Sequence, residues 1–310
     1  MRKEPRPRPA TRKLLLLVLL LSILNGLAAA RSSAVAAAPA ADGAARALLS
    51  RCASDYMSAL SAKPGFEAWK SGTVRLEALG PGTHGWLATI LPDRAKGKPL
   101  GYLVLYAADN GECRLGEYGL GAQTLFDTAA LRQALTAGGW LRKAGADGYR
   151  AVKHYVHPFA AAWEVRLPDE TIWLDAKSAE LLPIRDEAEW LQATAVPVKT
   201  APDGGATAGK PGEIRLLAAA ETFDPYERLS WLLGDKPFAP QPDKLVARLR
   251  AKSHLVYVTE PLGDKMLYAL SVVGYHRWQD GRLDLALDMY GQRFVPLQSL
   301  VAPSNGLFYR

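Results

Sequence analysis

Only two cysteines, Cys52 and Cys113, and five histidines occur in 310 residues, and that scarcity excludes much chemistry. Two cysteines cannot build a four-cysteine zinc site. The chain beyond residue 212 has no cysteine, so a peptidase domain there would lack its thiolate nucleophile. Of the histidines (His84, His154, His157, His254 and His276), only His154 and His157 are close in sequence. At i and i+3 on a strand they face opposite sides, which spoils chelation. No Gly-x-Ser-x-Gly elbow, P-loop or Gly-rich dinucleotide fingerprint is present. No metal or cofactor is expected. Basic charge is also scarce once it is located. Of the formal +7, residues 1–13 supply +5, through Arg2, Lys3, Arg6, Arg8, Arg12 and Lys13 against Glu4. The remaining +2 argues against a nucleic-acid partner.

The basic residues head a secretory leader. They precede the apolar run Leu14–Leu24, the pair Asn25-Gly26, and small residues Ala28 and Ala30 placed for cleavage before Arg31. Residues 1–30 therefore read as a signal peptide and the protein as secreted or at the cell surface. An uncleaved signal anchor is the alternative, because the run Leu14–Ala30 is at the short limit for spanning a bilayer. In that case alone would the membrane be a partner. In an exported chain the even cysteine count permits one disulfide, Cys52–Cys113, with two unpaired thiols as the other reading.

What remains is an α+β order of elements, read as two small sheet-plus-helix lobes and a C-terminal α+β domain. Residues 31–45, rich in Ala, read as a flexible spacer. An N-terminal lobe over 46–140 opens with an amphipathic helix carrying Leu48, Leu49, Cys52, Tyr56 and Leu60. Strands are expected at Trp86–Leu91, Gly101–Ala107 and Cys113–Tyr118, with a turn at Asp109-Asn110-Gly111, then a helix capped by Asp127. A second lobe, 141–196, holds strands at Ala162–Leu167 and Thr171–Asp175. Residues 197–212 have linker composition. The last domain, 213–310, reads as a helix near Asp243–Lys252 followed by strands at Leu255–Val258, Leu267–Tyr275 and Leu283–Leu287.

Three segments carry resemblances. Ala162-Trp-Glu-Val-Arg-Leu, followed by Ile-Trp-Leu-Asp-Ala-Lys-Ser-Ala-Glu-Leu-Leu-Pro183, resembles the small PepSY-type domain of exported bacterial proteins. Ala179 stands where that pattern has glycine, so the turn is expected to form without its usual positive-φ residue. Gly101-Tyr-Leu-Val-Leu-Tyr with Leu-Gly-Glu-Tyr-Gly119 is similar to propeptide or inhibitor lobes of secreted cysteine peptidases. Tyr268-Ala-Leu-Ser-Val-Val-Gly-Tyr275, with Leu285–Gly291 downstream, resembles half of a papain-like, bacteriocin-processing type peptidase domain. On that likeness Tyr268 replaces the catalytic histidine and Asp288 takes the place of the acid, a degenerate site without its cysteine.

A phenol with an ordinary pKa near 10 is no efficient base at neutral pH, so the resemblance implies a non-enzymatic, pseudopeptidase-like domain. His276, eight residues past Tyr268, shares its side of the strand by alternation and reads as a surface or hydrogen-bonding residue rather than a general base. Glu187/Glu189 read as a solvated helix face. Asp284 and Asp288 lie too far apart along one strand, on the order of 13 Å, to form a glycosidase pair. The aromatic set Trp163, Trp173, Trp190, Trp231, Trp278, Tyr226, Tyr257, Tyr275 and Tyr290 is sorted between lining a groove and filling cores. The expected function is an exported, inhibitor- or propeptide-like protein that binds a protein or peptide partner. A structural envelope or spore-associated protein is the alternative.

Overall fold

Alanine is the best helix former and proline fits a first helical turn, and the Ala-rich stretch expected as spacer is already helical from Pro39. In a computed structural model of the chain, helix α1 runs Pro39–Ser61. The structure describes residues 39–80, 85–93, 97–107, 112–144, 148–195, 212–302 and 305–310. The leader in 1–30, the turn at 109–111 and the linker up to residue 211 lie outside the described residues. No described helix is long and apolar enough to cross a membrane.

The architecture is α+β. Strands β1 (Thr73–Ala78), β2 (Gly85–Leu91), β3 (Gly101–Ala107) and β4 (Cys113–Leu120) form an antiparallel meander. Strands β5 (Arg150–His157), β6 (Ala160–Arg166) and β7 (Thr171–Asp175) form a separate three-stranded sheet. Beyond the expected linker come β8 (Ile214–Ala219), β9 (Val256–Thr259), β10 (Pro261–Asp264), β11 (Tyr268–Trp278), β12 (Leu283–Asp288), β13 (Gln292–Pro296) and β14 (Leu307–Tyr309). Here the structure departs from the expected division into an N-terminal lobe and a distinct C-terminal domain. Strand β13 pairs with β4 through Arg293↔Gly119 and Phe294↔Tyr118. One ten-stranded sheet therefore runs β1-β2-β3-β4-β13-β12-β11-β9-β14, with β8 also on β11. Residues 43–310 make one compact unit.

Both faces of that sheet are covered, which explains why β3 reads Gly-Tyr-Leu-Val-Leu-Tyr-Ala without polar alternation. Leu103 and Leu105 point to one core, with Leu49, Ala53, Met57 and Leu60 of α1, with Phe66, and with Trp69 of the short 3₁₀ turn that follows it, Glu67–Ser71. Tyr102 and Val104 point to the other, which holds Tyr155, Trp163, Val165, Ile172 and Leu174 of the small sheet. Helix α2 (Thr128–Ala137) closes that second core with Leu131 and Leu135, its first turn capped by the Asp127 carboxylate; α3 (Trp140–Ala144) comes directly after it. Further along the same face, α5 (Pro242–Arg250) and α6 (Leu297–Val301) cover Tyr257, Tyr275, Leu285 and Val295. Outside the small sheet lies α4 (Glu187–Ala193), whose Trp190 stacks on Trp173.

Cys52 and Cys113 are disulfide-bonded, with Cα atoms 6.4 Å apart, within the usual range. The bond ties α1 to the start of β4 across 61 residues. In the chain-entropy account that closure is worth about 4 kcal/mol. Strand β11 bulges between Val272 and Gly274, which reverses the alternation. Tyr268, Val272 and Tyr275 share one core while Val273 and Trp278 lie in the other. His276 therefore faces away from Tyr268, contrary to the simple parity expected. The bulge needs its glycine, because a Cβ at Gly274 would stand 2.4 Å from the Ala218 carbonyl of β8.

The turn after β7 also differs from expectation. Ala179 adopts φ +59°, so alanine takes the left-handed conformation that glycine usually supplies. The Asp175 carboxylate holds the turn by accepting the main-chain N–H of Lys177 (2.8 Å) and Ser178 (2.7 Å). Replacing Ala179 with glycine relieves about 1 kcal/mol of backbone strain. We expect the Ala179→Gly variant to show a higher urea midpoint; a lower one would mean that burial of the methyl group outweighs the strain.

Candidate binding site

The large and small sheets meet at charges rather than at a wholly apolar seam. Glu117 of β4 and Arg293 of β13 are fully buried and form a bidentate pair, Nε to Oε2 at 2.6 Å and Nη2 to Oε1 at 2.9 Å. Burial opposes the guanidinium charge, but the Glu117 carboxylate outweighs it and raises the Arg293 pKa further. The pair reaches into the small sheet at two points. Tyr155 of β5 donates to Glu117 Oε1 at 3.1 Å, and Arg293 donates to the Pro158 carbonyl at the tip of the β5–β6 hairpin. Lys177, also buried, donates to the Gln123 carbonyl beneath the Tyr102 ring. Burial, then the Arg293 charge, lowers its amine to about 8.

This seam takes in the first of the two positions assigned to a degenerate peptidase site. The Tyr268 hydroxyl is buried and donates to Asp175 Oδ2 of β7 at 2.8 Å. Burial and then Asp175 push its pKa well up, so the phenol is a structural donor. Asp288 accepts instead from Thr222. The β11–β12 ladder stops at Val272↔Leu287, four residues short of Tyr268, so Tyr268 and Asp288 are not cross-strand neighbours. His276 Nδ1 shares a 2.8 Å hydrogen bond with Tyr118 Oη. Asp284, set aside as half of a glycosidase pair, is buried and accepts from Trp278 Nε1 (2.6 Å) and Arg282 Nε (2.7 Å). His154 and His157 do separate: His154 bonds Glu164 at 2.9 Å, while His157 accepts the Phe159 N–H at 3.3 Å. No group of three metal-ligating side chains occurs among the described residues. Most of the aromatic set fills cores: Trp163, Trp173, Trp190, Trp278, Tyr257 and Tyr275 are buried, whereas Tyr226 and Tyr290 are exposed.

A concavity that combines apolar lining with open polar groups lies at the outer edge of β7. It is a shallow groove of about 610 Å³. Ile172, Leu181, Leu182, Pro183 and Ile184 give it an apolar lining, and Leu181 is 56% exposed. Arg185, Glu189 of α4 and Lys265, in the β10–β11 turn, line it with charge. Glu189 binds Lys265 through one oxygen and, through the other, the Arg185 N–H at 2.8 Å and its Nε at 3.1 Å. Lys265, then the Arg185 N–H, lower its carboxyl to about 2. The clamp therefore stays ionised through the ordinary pH range. Sequence reading took Glu189 as a solvated carboxylate; its partners lie 4 and 76 residues away, and only the nearer one is visible in local spacing.

No protein-family model, curated protein or solved structure matches the chain.

The seam generates two stability tests. Arg293→Met leaves the Glu117 carboxylate buried without its cation, and we expect a loss of about 3–5 kcal/mol in urea unfolding, less in the Glu117→Leu/Arg293→Met double variant. A single-variant loss below about 1 kcal/mol would remove the pair from its structural role. His157 and His276 both titrate near 4 in the folded protein, His157 through burial and then Arg293, His276 through burial and then Lys63. Unfolded histidine titrates near 6.5, so the unfolded chain binds the extra protons between those values. The stability present above pH 6.5 is lost as pH falls to about 4, on the order of 3 kcal/mol per histidine. The slope of unfolding free energy against pH should flatten in His157→Gln and His276→Gln; an unchanged slope in both refutes the assignment.

Proposed function

We propose that the protein is an exported, non-enzymatic binding protein that holds a protein or peptide partner in the groove beside β7. The observation that carries this reading is the coincidence of a strand edge left unpaired at Thr171, an exposed apolar lining centred on Leu181, and a fixed charged wall. A surface of that composition recognises a chain with both apolar side chains and polar backbone. The PepSY- and propeptide-like segments agree with it, since such lobes cover or hold a partner. Of the acid–base candidates, the Tyr268 phenol bonds Asp175, and the buried His157 and His276 are bonded to Phe159 and Tyr118.

The test uses a displayed library of random peptides selected on the folded protein. Leu181→Asp places a charge in the lining at an exposed position, where it should leave the melting temperature nearly unchanged. We expect peptides selected on the unaltered protein to lose about tenfold or more in affinity for Leu181→Asp, as when a buried apolar contact of about 1.5 kcal/mol is replaced by a charge. Equal affinity for both proteins refutes the groove as the binding site.

A further inference from the structure

Hydrogen bonding along β7 alternates between its two edges, and the pattern fixes which amides face the groove. Ala176 donates to Ala161 of β6, and Leu167 donates to Glu170 across the β6–β7 turn. With Ile172 opposite Val165 and Leu174 opposite Trp163, the even-numbered residues of β7 therefore bond inward to β6. The odd-numbered ones, Thr171, Trp173 and Asp175, turn their N–H and C=O outward. A strap from Glu180 to Leu182 meets the outer edge only at its far end. There Asp175 N–H donates to Glu180 and Leu182 N–H donates to the Trp173 carbonyl, each at 2.8 Å, around the antiparallel bridge Leu174↔Leu181. Ile184, the next strap residue in register to bond and opposite Thr171, makes no main-chain bond to it, and the strap leaves toward α4. Among the described residues no strand is paired with the outer edge at Thr171.

We propose that the partner is an extended peptide segment that adds to the β7 edge as an antiparallel strand, pairing with the exposed Thr171 where the strap turns away. This rests on the groove reading above and names the chain that enters it. The strap demonstrates the pairing, since the same edge already accepts two antiparallel main-chain bonds two residues further on. Edge strands without cover are templates for such addition. The second observation is charge. The cations beside this edge, each paired with a more buried carboxylate (Arg166 with Glu164, Arg185 and Lys265 with Glu189), keep side chains 47%, 85% and 47% exposed, whereas Glu164 and Glu189 are 5% and 11% exposed. Every second side chain of the added strand is thus apolar, toward Ile172 and Leu181, and an acidic residue meets Arg185 and Lys265. The exposed carboxylates of Asp169 and Glu170 belong to the turn that starts β7, so the acidic preference applies away from that turn.

Thr171→Pro is the decisive variant. It removes an N–H that points away from β6, so the small sheet keeps its ladder. We expect peptides selected on the unaltered full chain to alternate apolar residues, to favour Asp and Glu over Lys and Arg, and to bind Thr171→Pro about tenfold more weakly, the equivalent of one to two main-chain hydrogen bonds. Should Thr171→Pro fail to fold, the same loss is read by N-methylating the selected peptide at alternate positions, with loss at one parity and not the other. Loss with both Thr171→Pro and Leu181→Asp supports strand addition within the groove. Unchanged affinity for Thr171→Pro, with loss on Leu181→Asp, overturns strand addition and leaves the groove reading standing. Loss on Thr171→Pro alone keeps strand addition and overturns the groove lining. Failure of the library to yield any peptide, or enrichment of Lys and Arg, overturns the proposal.

Discussion

The Glu117–Arg293 pair is the contact on which the arrangement of the two sheets depends. It joins β4 to β13 within the large sheet, and through Tyr155 and the Pro158 carbonyl it fastens the small sheet on top. A buried ion pair gives little net stability compared with well-packed apolar residues, because desolvation consumes most of the attraction. Its strength lies in discrimination. A shifted register of β13 on β4 would bury both charges unpaired, at a cost of several kcal/mol, whereas an apolar pair would slide at little cost. The surrounding donors and acceptors, Tyr155, Lys177 and the Tyr268–Asp175 bond, extend that demand across the whole seam.

The local elements were legible because their causes are local. Asp127 caps a helix whose leucines fall four apart, and Gly-Tyr-Leu-Val-Leu-Tyr-Ala has the unbroken apolar character of a strand covered on both faces. Strands β9, β11 and β12 match their expected spans within a few residues. The joining of those strands to the meander was not legible. Arg293 and Glu117 are 176 residues apart, and each reads alone as an ordinary surface charge. Strand β8 was missed because it begins directly after a Gly- and Pro-rich stretch and leaves Leu216 and Leu217 partly exposed. The bulge at Val272–Gly274 escaped because alternation was carried straight through a glycine, the residue that most often marks such a break.

Of the candidate site, sequence reading supplied the neighbourhood but not the chemistry. Thr171–Asp175 was visible as a strand, and Leu181-Leu182-Pro183 as the segment on the far side of a turn. That β7 is an edge strand depends on the absence of a fourth strand, which no window of sequence reveals. Tyr268 drew attention through an apolar pattern shared by many core strands. Its burial and its bond to Asp175, 93 residues earlier, make it part of the seam that holds β7 in place. The position expected to mark a lost active site thus supports, from inside, the strand whose outer edge is left unpaired at Thr171.

The pairing of β13 with β4 also constrains how the chain acquires its shape. The meander β1–β4 is synthesised early, yet one edge of it stays open until residues near 293 arrive. Between the two strands lie the small sheet and the strands from β8 to β12. Loop-closure entropy must be met before such distant contacts stabilise anything, which makes folding slow and its intermediates sticky. The disulfide between α1 and β4 lies wholly within the early half. Once oxidised, it holds the helix on one face of an unfinished sheet and shields that face while the opposite half is still missing. A nascent chain stopped before β13 would present β4 as a bare template for aggregation, so C-terminal truncation should be far more damaging to this fold than the few strand contacts it removes would suggest.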